Sequence, residues 1–318
     1  MKKLRYIPML ALVSLLSSCN LFGGNKMKAP TFAKEGDEVE FTDYQAKLAA
    51  ANENSELSDQ ESKLSDRLIK SSYATSETVV LKRGKTEVRK SETATQTKGE
   101  MQIDYSNLTM KETGETKGTY KRSDQEGSYN ITANSKTENY GQFATISDVK
   151  SWVSANAKTK VYTVAGTLYS GMDKDDYFDS LVRMQISNLS SYYFEYEPDS
   201  KEQAKDYLFY INNDVLFTIS YNNEKDEETE EAAIYTKSKI KLQLDMTDKK
   251  QAVRVSVETE ASKTYKKDGG YSSSAYKEGD VETTKYVEYY EATVSAKDVT
   301  VKEVDLDDYT KYSSVNPF

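Results

Sequence analysis

The chain has 318 residues, one cysteine, no histidine, 43 Lys and Arg against 52 Asp and Glu, and a formal net charge of -9. That supply excludes a Ser-His-Asp triad, a His-containing zinc site and an intrachain disulfide. Its acidic surface is repelled by nucleic acid and by anionic head groups, so no nucleic-acid partner is expected.

The first residues carry Lys2, Lys3 and Arg5, then an apolar run from Ile7 to Leu16 interrupted by Pro8 and Ser14, then the small Ser17 and Ser18 before Cys19. This is the layout of an export signal over residues 1–18. The run is about half of the roughly 20 apolar residues that a spanning helix needs. Leu16-Ser17-Ser18-Cys19 resembles the lipobox of bacterial lipoproteins. The resemblance implies cleavage between Ser18 and Cys19, a diacylglycerol on the Cys19 thiol and a palmitate-type acyl chain on the new amino group. It places the chain on the extracytoplasmic side of the cell membrane, held by lipid. Two or more acyl chains anchor firmly at about 0.8 kcal/mol per buried methylene. Loss of the leader removes three positive charges and no negative ones, taking the net charge from -9 to -12.

Residues 19–37 mix Gly, Pro, Asn and Lys without a period and read as the lipidated N-terminus and a flexible tether. From Phe41 the sequence favours helix, with Thr42 or Asp43 as cap and Tyr44, Leu48 and Ala51 on one face. A second helical piece is expected from near Ser58 with Leu57, Leu64, Leu68 and Ile69. Between Ser76 and Lys136, Thr, Ser, Val and Tyr alternate with charges and glycines punctuate the run, which predicts an antiparallel meander with one face in water. Trp152 falls in "ISDVKSWVSA", read as a short capped helix before the strand "KVYTVAGTLY".

Asp173 can cap a helix whose Tyr177, Phe178, Leu181, Val182, Leu189 and Tyr192 follow i, i+3, i+4 spacing around one polar intruder, Gln185, and Pro198 closes it. Two hairpins follow, about Asn212–Asp214 and about Thr247–Lys250. In the second, Ile240, Leu242, Leu244 and Met246 alternate against Val253, Val255 and Val257. "TTKYVEYYEATVSAKDVTVKEVDL" supplies the last one or two strands, and "NEKDEETEEA" and "KKDGGYSSSAYKEGD" read as solvated loops.

The expected fold is α+β: a curved, half-barrel-like antiparallel sheet packed on a few helices. It forms one ectodomain over 38–318 or two helix-plus-sheet halves, 38–141 and 142–318. In architecture the chain resembles LolA-like and LppX-like lipoproteins, through the lipobox, the helical stretch Asp43–Lys70 and the hairpins Leu208–Tyr221 and Ile240–Val257. That resemblance implies a half-open barrel that shelters acyl chains.

Motifs for turnover are missing. Gly166 and Gly171 have the spacing of a phosphate loop's outer glycines, but Met172 and Asp173 stand where Lys and Ser or Thr are required. Asp173, Asp175, Asp176 and Asp179 lack the glycine and the closing glutamate of a calcium loop, and read as an acidic helix start. No catalytic residue, metal or cofactor is expected. Tyrosine is the anomaly, with 25 copies against one tryptophan: Tyr192, Tyr193, Phe194 and Tyr196 cluster, as do Tyr207, Phe209 and Tyr210, and Tyr286, Tyr289 and Tyr290. Such rings suit helix–sheet seams, or line a cleft for an amphiphile, a glycan or a peptide. The functional expectation is a non-enzymatic lipoprotein that binds a lipid or hydrophobic small molecule in an apolar groove lined by Phe178, Leu181, Leu189, Tyr192, Phe217, Ile219, Leu242, Leu244 and Val255. The alternative is a scaffold that binds an envelope or host protein.

Overall fold

The computed structural model describes residues 28–53, 65–124, 127–169, 171–247, 250–270 and 275–312. Ser18, Cys19, Leu57 and Leu64 lie outside these residues. One open sheet of thirteen strands carries the molecule, with two α-helices on one of its faces. In chain order come β1 (Asp37–Val39), α1 (Phe41–Glu53), β2 (Arg67–Arg83), β3 (Thr86–Asp104), β4 (Thr109–Asp124), β5 (Gly127–Ile146), β6 (Val149–Asn156) and β7 (Val161–Thr167). Then follow α2 (Lys174–Tyr196), β8 (Leu208–Asn212), β9 (Val215–Glu228), β10 (Ala232–Thr247), β11 (Lys250–Tyr265), β12 (Val281–Ala296) and β13 (Thr310–Lys311).

The spatial order is β1-β8-β9-β10-β11-β12-β2-β3-β4-β5-β6-β7-β13, antiparallel throughout except for the parallel β7–β13 pair. Strands β2 to β7 form one meander and β8 to β12 another. They join where β12 pairs with β2 from Val281↔Lys82 to Ala296↔Arg67, so strands from both sequence halves share one sheet. β2, β3, β4 and β5 run 17, 19, 16 and 20 residues, several times the usual strand.

The alternation of side chains explains this geometry. On the face away from the helices, charges pair across strands: Lys70 with Glu100 at 3.3 Å, Lys111 with Glu138 at 2.6 Å, Lys136 with Glu115 at 3.4 Å and Arg254 with Glu291 at 2.8 Å. On the helix face Ile69, Met101, Ile103, Met110, Leu242, Leu244, Val253, Val255 and Val294 form the core with α1 and α2. Leu68 and Ile69 therefore belong to a strand, not to the helix expected from their spacing. Adjacent apolar residues serve both faces here, Ile69 under the helices and Leu68 on the other side, and both are buried.

Trp152 is likewise on a strand, β6, and not on a short helix; its ring packs edge-on against Phe143 of β5, at 5.1 Å between centroids. The acidic run after Asn223 continues β9 to Glu228 in register with β10, where a solvated loop was expected. Its charges stay exposed on both faces, so strand pairing does not bury them. In the stretch after Tyr265, Gly269 and Tyr276 pair and the Tyr276 ring stacks on Tyr265 at 3.8 Å.

α2 is the long brace. Asp173 caps it through a 2.7 Å bond from the Asp175 N–H, as the sequence predicts. It buries Phe178, Val182, Ile186, Leu189 and Tyr193 along one stripe and crosses from β5–β6 to β9–β12. Its 23 residues cover about 34 Å at 1.5 Å per residue. Glu197, extended at φ -69° and ψ 136° before Pro198, ends it. Both hairpins fall at the expected places, and Ile240, Leu242 and Leu244 pair with Val257, Val255 and Val253. No helix among the described residues is long and apolar enough to cross a membrane.

The last part of the expected tether lies along the sheet. Ala33 N–H donates to Gln243 Oε1 at 2.8 Å, Asn212 donates to the Lys34 carbonyl at 2.9 Å, and Lys241 sits 5.0 Å from the Phe32 ring centroid.

Candidate functional site

The nine residues expected to line one groove are not brought together as a groove. Phe178, Leu189, Leu242, Leu244 and Val255 are buried against one another, with Leu181 and Tyr192 packed at their margin, so the seam between α2 and β10–β11 is filled. Phe217 and Ile219 point to the other face, because Thr218 between them turns toward the helices and bonds Tyr193 and Tyr44. There they pair with Gln243 and Lys241, the two residues that hold the N-terminal segment.

The polar constellation lies where α2 ends and the strands continue. In β12 the sequence "YVEYY" puts Tyr286, Glu288 and Tyr290 on the helix face and Val287 and Tyr289 on the other. β2 sets Tyr73 opposite Tyr290 and Thr75 opposite Glu288. The last two turns of α2 add Tyr192 and Tyr196, four residues apart and so on one helix face. The Tyr192 ring stacks on Tyr290 at 4.2 Å between centroids and lies 5.5 Å from that of Tyr73.

Tyr196 Oη donates to Glu288 Oε2 at 3.0 Å and Tyr286 Oη donates to the same oxygen at 2.6 Å. Glu288 is only 4 % exposed. Tyr73, Tyr192, Tyr196 and Tyr286 are half-buried, and Glu195 beside them is exposed. Burial, and then the negative charge of Glu288, pushes the Tyr192 phenol up to about 12. Burial is also the first cause of the rise at Tyr73, Tyr196 and Tyr286, with the Glu288 carboxylate adding to it at each. Burial and Glu288 together raise Glu195. The phenols thus stay protonated at neutral pH as donors, and proton abstraction by them is disfavoured. Ring faces, hydroxyls and one acceptor carboxylate suit binding.

Of the tyrosines that stand out in the sequence, Tyr192, Tyr196, Tyr286 and Tyr290 meet here. Tyr193 goes to the core with Tyr44, Phe209 packs under α1 at 4.8 Å from Tyr44, and Tyr289 faces away. Glu288 itself was missed: in an acid-rich chain nothing distinguishes it except its place between tyrosines at i-2 and i+2. Tyr73, 213 residues before Tyr286 in the chain, arrives only through the β2–β12 pairing.

No family model and no curated protein matches this chain. Among solved structures, it has a partial likeness to the outer membrane protease OmpT from Escherichia coli, with 9% identity, 75% of this chain and 100% of that one covered, and a TM-score of 0.19. An outer membrane channel from Pseudomonas putida F1 gives 8% identity, 74% and 98% coverage and a TM-score of 0.19. The translocator domain of the autotransporter NalP from Neisseria meningitidis gives 10% identity, 78% and 96% coverage and a TM-score of 0.13.

Proposed function

We propose that this chain is a bacterial lipoprotein, anchored through Cys19 to the extracytoplasmic side of the cell membrane, that binds an amphiphilic ligand without turning it over. The observation that carries this reading is the place where α2 stops short: strands of 16 to 20 residues run on past the helix, leaving Tyr73, Tyr192, Tyr196 and Tyr286 half-buried around Glu288. In the half-barrel reading of the sheet, a ligand's apolar part lies over these rings and the threonines next to them, Thr75 and Thr97. The filled α2 seam moves the ligand from the groove expected in the sequence to this polar margin, so an amphiphile fits better than a purely apolar molecule.

Organic extracts of the purified full chain, analysed by mass spectrometry, test the reading. It predicts one copurifying amphiphile, lost from Tyr73→Ala and Tyr286→Ala proteins that remain folded; repeated extracts without one would sink it. Palmitate labelling that survives Cys19→Ala would sink the anchor.

A second reading, a scaffold for another envelope or host protein, is favoured by one feature. β5 pairs with β6 only from Asn139 to Ile146, and the free margin before it exposes Tyr129 and Ile131. An open strand margin of this kind accepts a partner's strand. Cross-linking in intact cells that recovers one stoichiometric protein and no lipid would decide for it.

A further inference from the structure

The acids of β12 and the turn before it divide into two kinds. Asp280 is held bidentately by Arg83 at 2.9 and 2.8 Å, Glu282 by Arg89 at 2.7 Å, and Glu291 by Arg254 at 2.8 Å. Glu288 is the exception. Among the described residues no Lys or Arg lies within ion-pair distance of it, although it is 4 % exposed. Both of its hydroxyl donors, from Tyr196 and Tyr286, converge on Oε2, and Oε1 accepts no hydrogen bond from any described residue. Exposed Glu195 adds a second negative charge at the mouth without adding a cation. A buried carboxylate normally has a counter-charge or a full set of donors. What this one lacks is a cation with an N–H, and what surrounds it is a set of ring faces.

We infer that Glu288 and the rings of Tyr73, Tyr192, Tyr196 and Tyr286 form a receptor for an alkylammonium group, with an N–H of the guest donating to Glu288 Oε1. The inference rests on the amphiphile-binding reading and specifies the ligand's polar end. The chemistry is consistent at each contact. A charge-assisted bond to Oε1 completes the carboxylate's shell. The α-methylenes, which share the positive charge, lie against electron-rich tyrosine faces. The phenols hold their protons at neutral pH, so Tyr196 and Tyr286 keep Oε2 occupied and leave Oε1 for the guest. A guest that carries a carboxylate or phosphate but no ammonium is repelled by Glu288 and Glu195 together. Both a free amine and the head group of an ethanolamine lipid present this chemistry.

Calorimetric titration of the full chain with hexylammonium, hexanol and hexanoate tests it. Hexylammonium is expected to bind roughly tenfold tighter than hexanol, the scale of one cation–π contact plus one charged hydrogen bond, and hexanoate is expected not to bind. Glu288→Gln, whose amide oxygen still accepts from Tyr196 and Tyr286, is expected to remain folded and to lose the preference. The wild-type comparison decides the matter alone should that variant not melt cooperatively. Equal binding of hexanol and hexylammonium overturns the ammonium site and leaves the amphiphile reading standing, whereas no binding by any of the three removes both. Dihexanoyl phosphatidylethanolamine and phosphatidylglycerol separate the two sources. Preference for the ethanolamine lipid supports a head group, and no preference alongside tight hexylammonium binding supports a free amine.

Discussion

Gly141 of β5 lies directly under the indole of Trp152 on β6: a Cβ at Gly141 would fall 2.4 Å from Trp152 Cζ2. The indole has no room to yield, since Phe143 packs its edge at 5.1 Å and Phe178 of α2 lies 5.7 Å away between centroids. Gly141→Ala is therefore expected to destabilise the protein by about 1–3 kcal/mol, the usual range for overpacking a filled core. Urea unfolding followed through the fluorescence of Trp152, the sole tryptophan, measures this directly. An unchanged midpoint would contradict the packing.

How much of this was legible in the sequence depends on how each residue is used. α2 was legible because Asp173 caps it, its apolar spacing is sustained and Pro198 ends it. The β10–β11 register was legible because Ile240, Leu242 and Leu244 alternate with charged or polar neighbours. Strand length was not, because the parts of β3, β4, β5 and β9 that run past the core carry mainly Thr, Ser, Asn, Lys and Glu and leave little apolar alternation to count, and Val79, Val80 and Leu81 at the far end of β2 are adjacent and do not alternate. Leu68 and Ile69 misled because two adjacent apolar residues satisfy a helical stripe as well as a strand buried on both sides. The tyrosines of the candidate site were visible as an excess, but their meeting point depends on β2 pairing with β12 across some two hundred residues, which local pattern does not encode.

Tyr193, Tyr44 and Thr218 tie both helices to the sheet. The Tyr44 and Tyr193 hydroxyls bond each other, and Thr218 Oγ1 lies 3.0 Å from Tyr44 Oη and 3.2 Å from Tyr193 Oη, all of them buried. Tyr193→Phe leaves the other two hydroxyls one partner fewer in a site closed to water. A loss of about 1–2 kcal/mol follows from the cost of an unmade buried hydrogen bond. In a cycle with Thr218→Val the two losses are expected to be non-additive, since both act on one network. Strictly additive losses would show that the hydroxyls contribute separately.

Stability should fall as pH rises through neutrality. Burial beside Tyr193 pushes the Glu197 carboxyl from its ordinary 4.5 up to about 7. The folded state thus holds that proton more tightly than the unfolded chain does. Its contribution is complete below about pH 4.5 and is lost as pH rises through about 7. Burial raises Glu112 as well, against the bond from Asn139, and raises Glu195, so both act in the same direction. Glu197→Gln removes one share of the slope, on the order of 1–2 kcal/mol between pH 5 and pH 8 once partial exposure is allowed for. Melting temperatures of wild type and variant at the two pH values give the test: parallel curves would rule Glu197 out as a source.

After β12 the chain becomes a strap that crosses the ends of the strands below α2. Val299 N–H donates to Asp66 Oδ2 at 3.2 Å, Val301 N–H to Asp104 Oδ2 at 2.9 Å, and Val304 N–H to Gln142 Oε1 at 2.7 Å, before β13 pairs with β7. Gln142 also returns a bond, from Nε2 to the Val304 carbonyl at 2.9 Å, so one side chain satisfies both backbone groups of Val304. At Asp104, burial opposes the charged form, but the bonds from Val301 and Asn107 prevail and hold its carboxyl below the ordinary 3.8. That grip is present at neutral pH and weakens only as acid protonates it. The strap is consequently fastened by a few side chains and not by a ladder, and it should open locally without the sheet unfolding. Gln142→Leu is expected to speed amide exchange at Val304 about tenfold or more, given roughly 1 kcal/mol for each of two bonds. Exchange in β10 and β11 should stay unchanged. If those core amides accelerate in parallel with Val304, the strap unfolds with the whole molecule and is no separate unit.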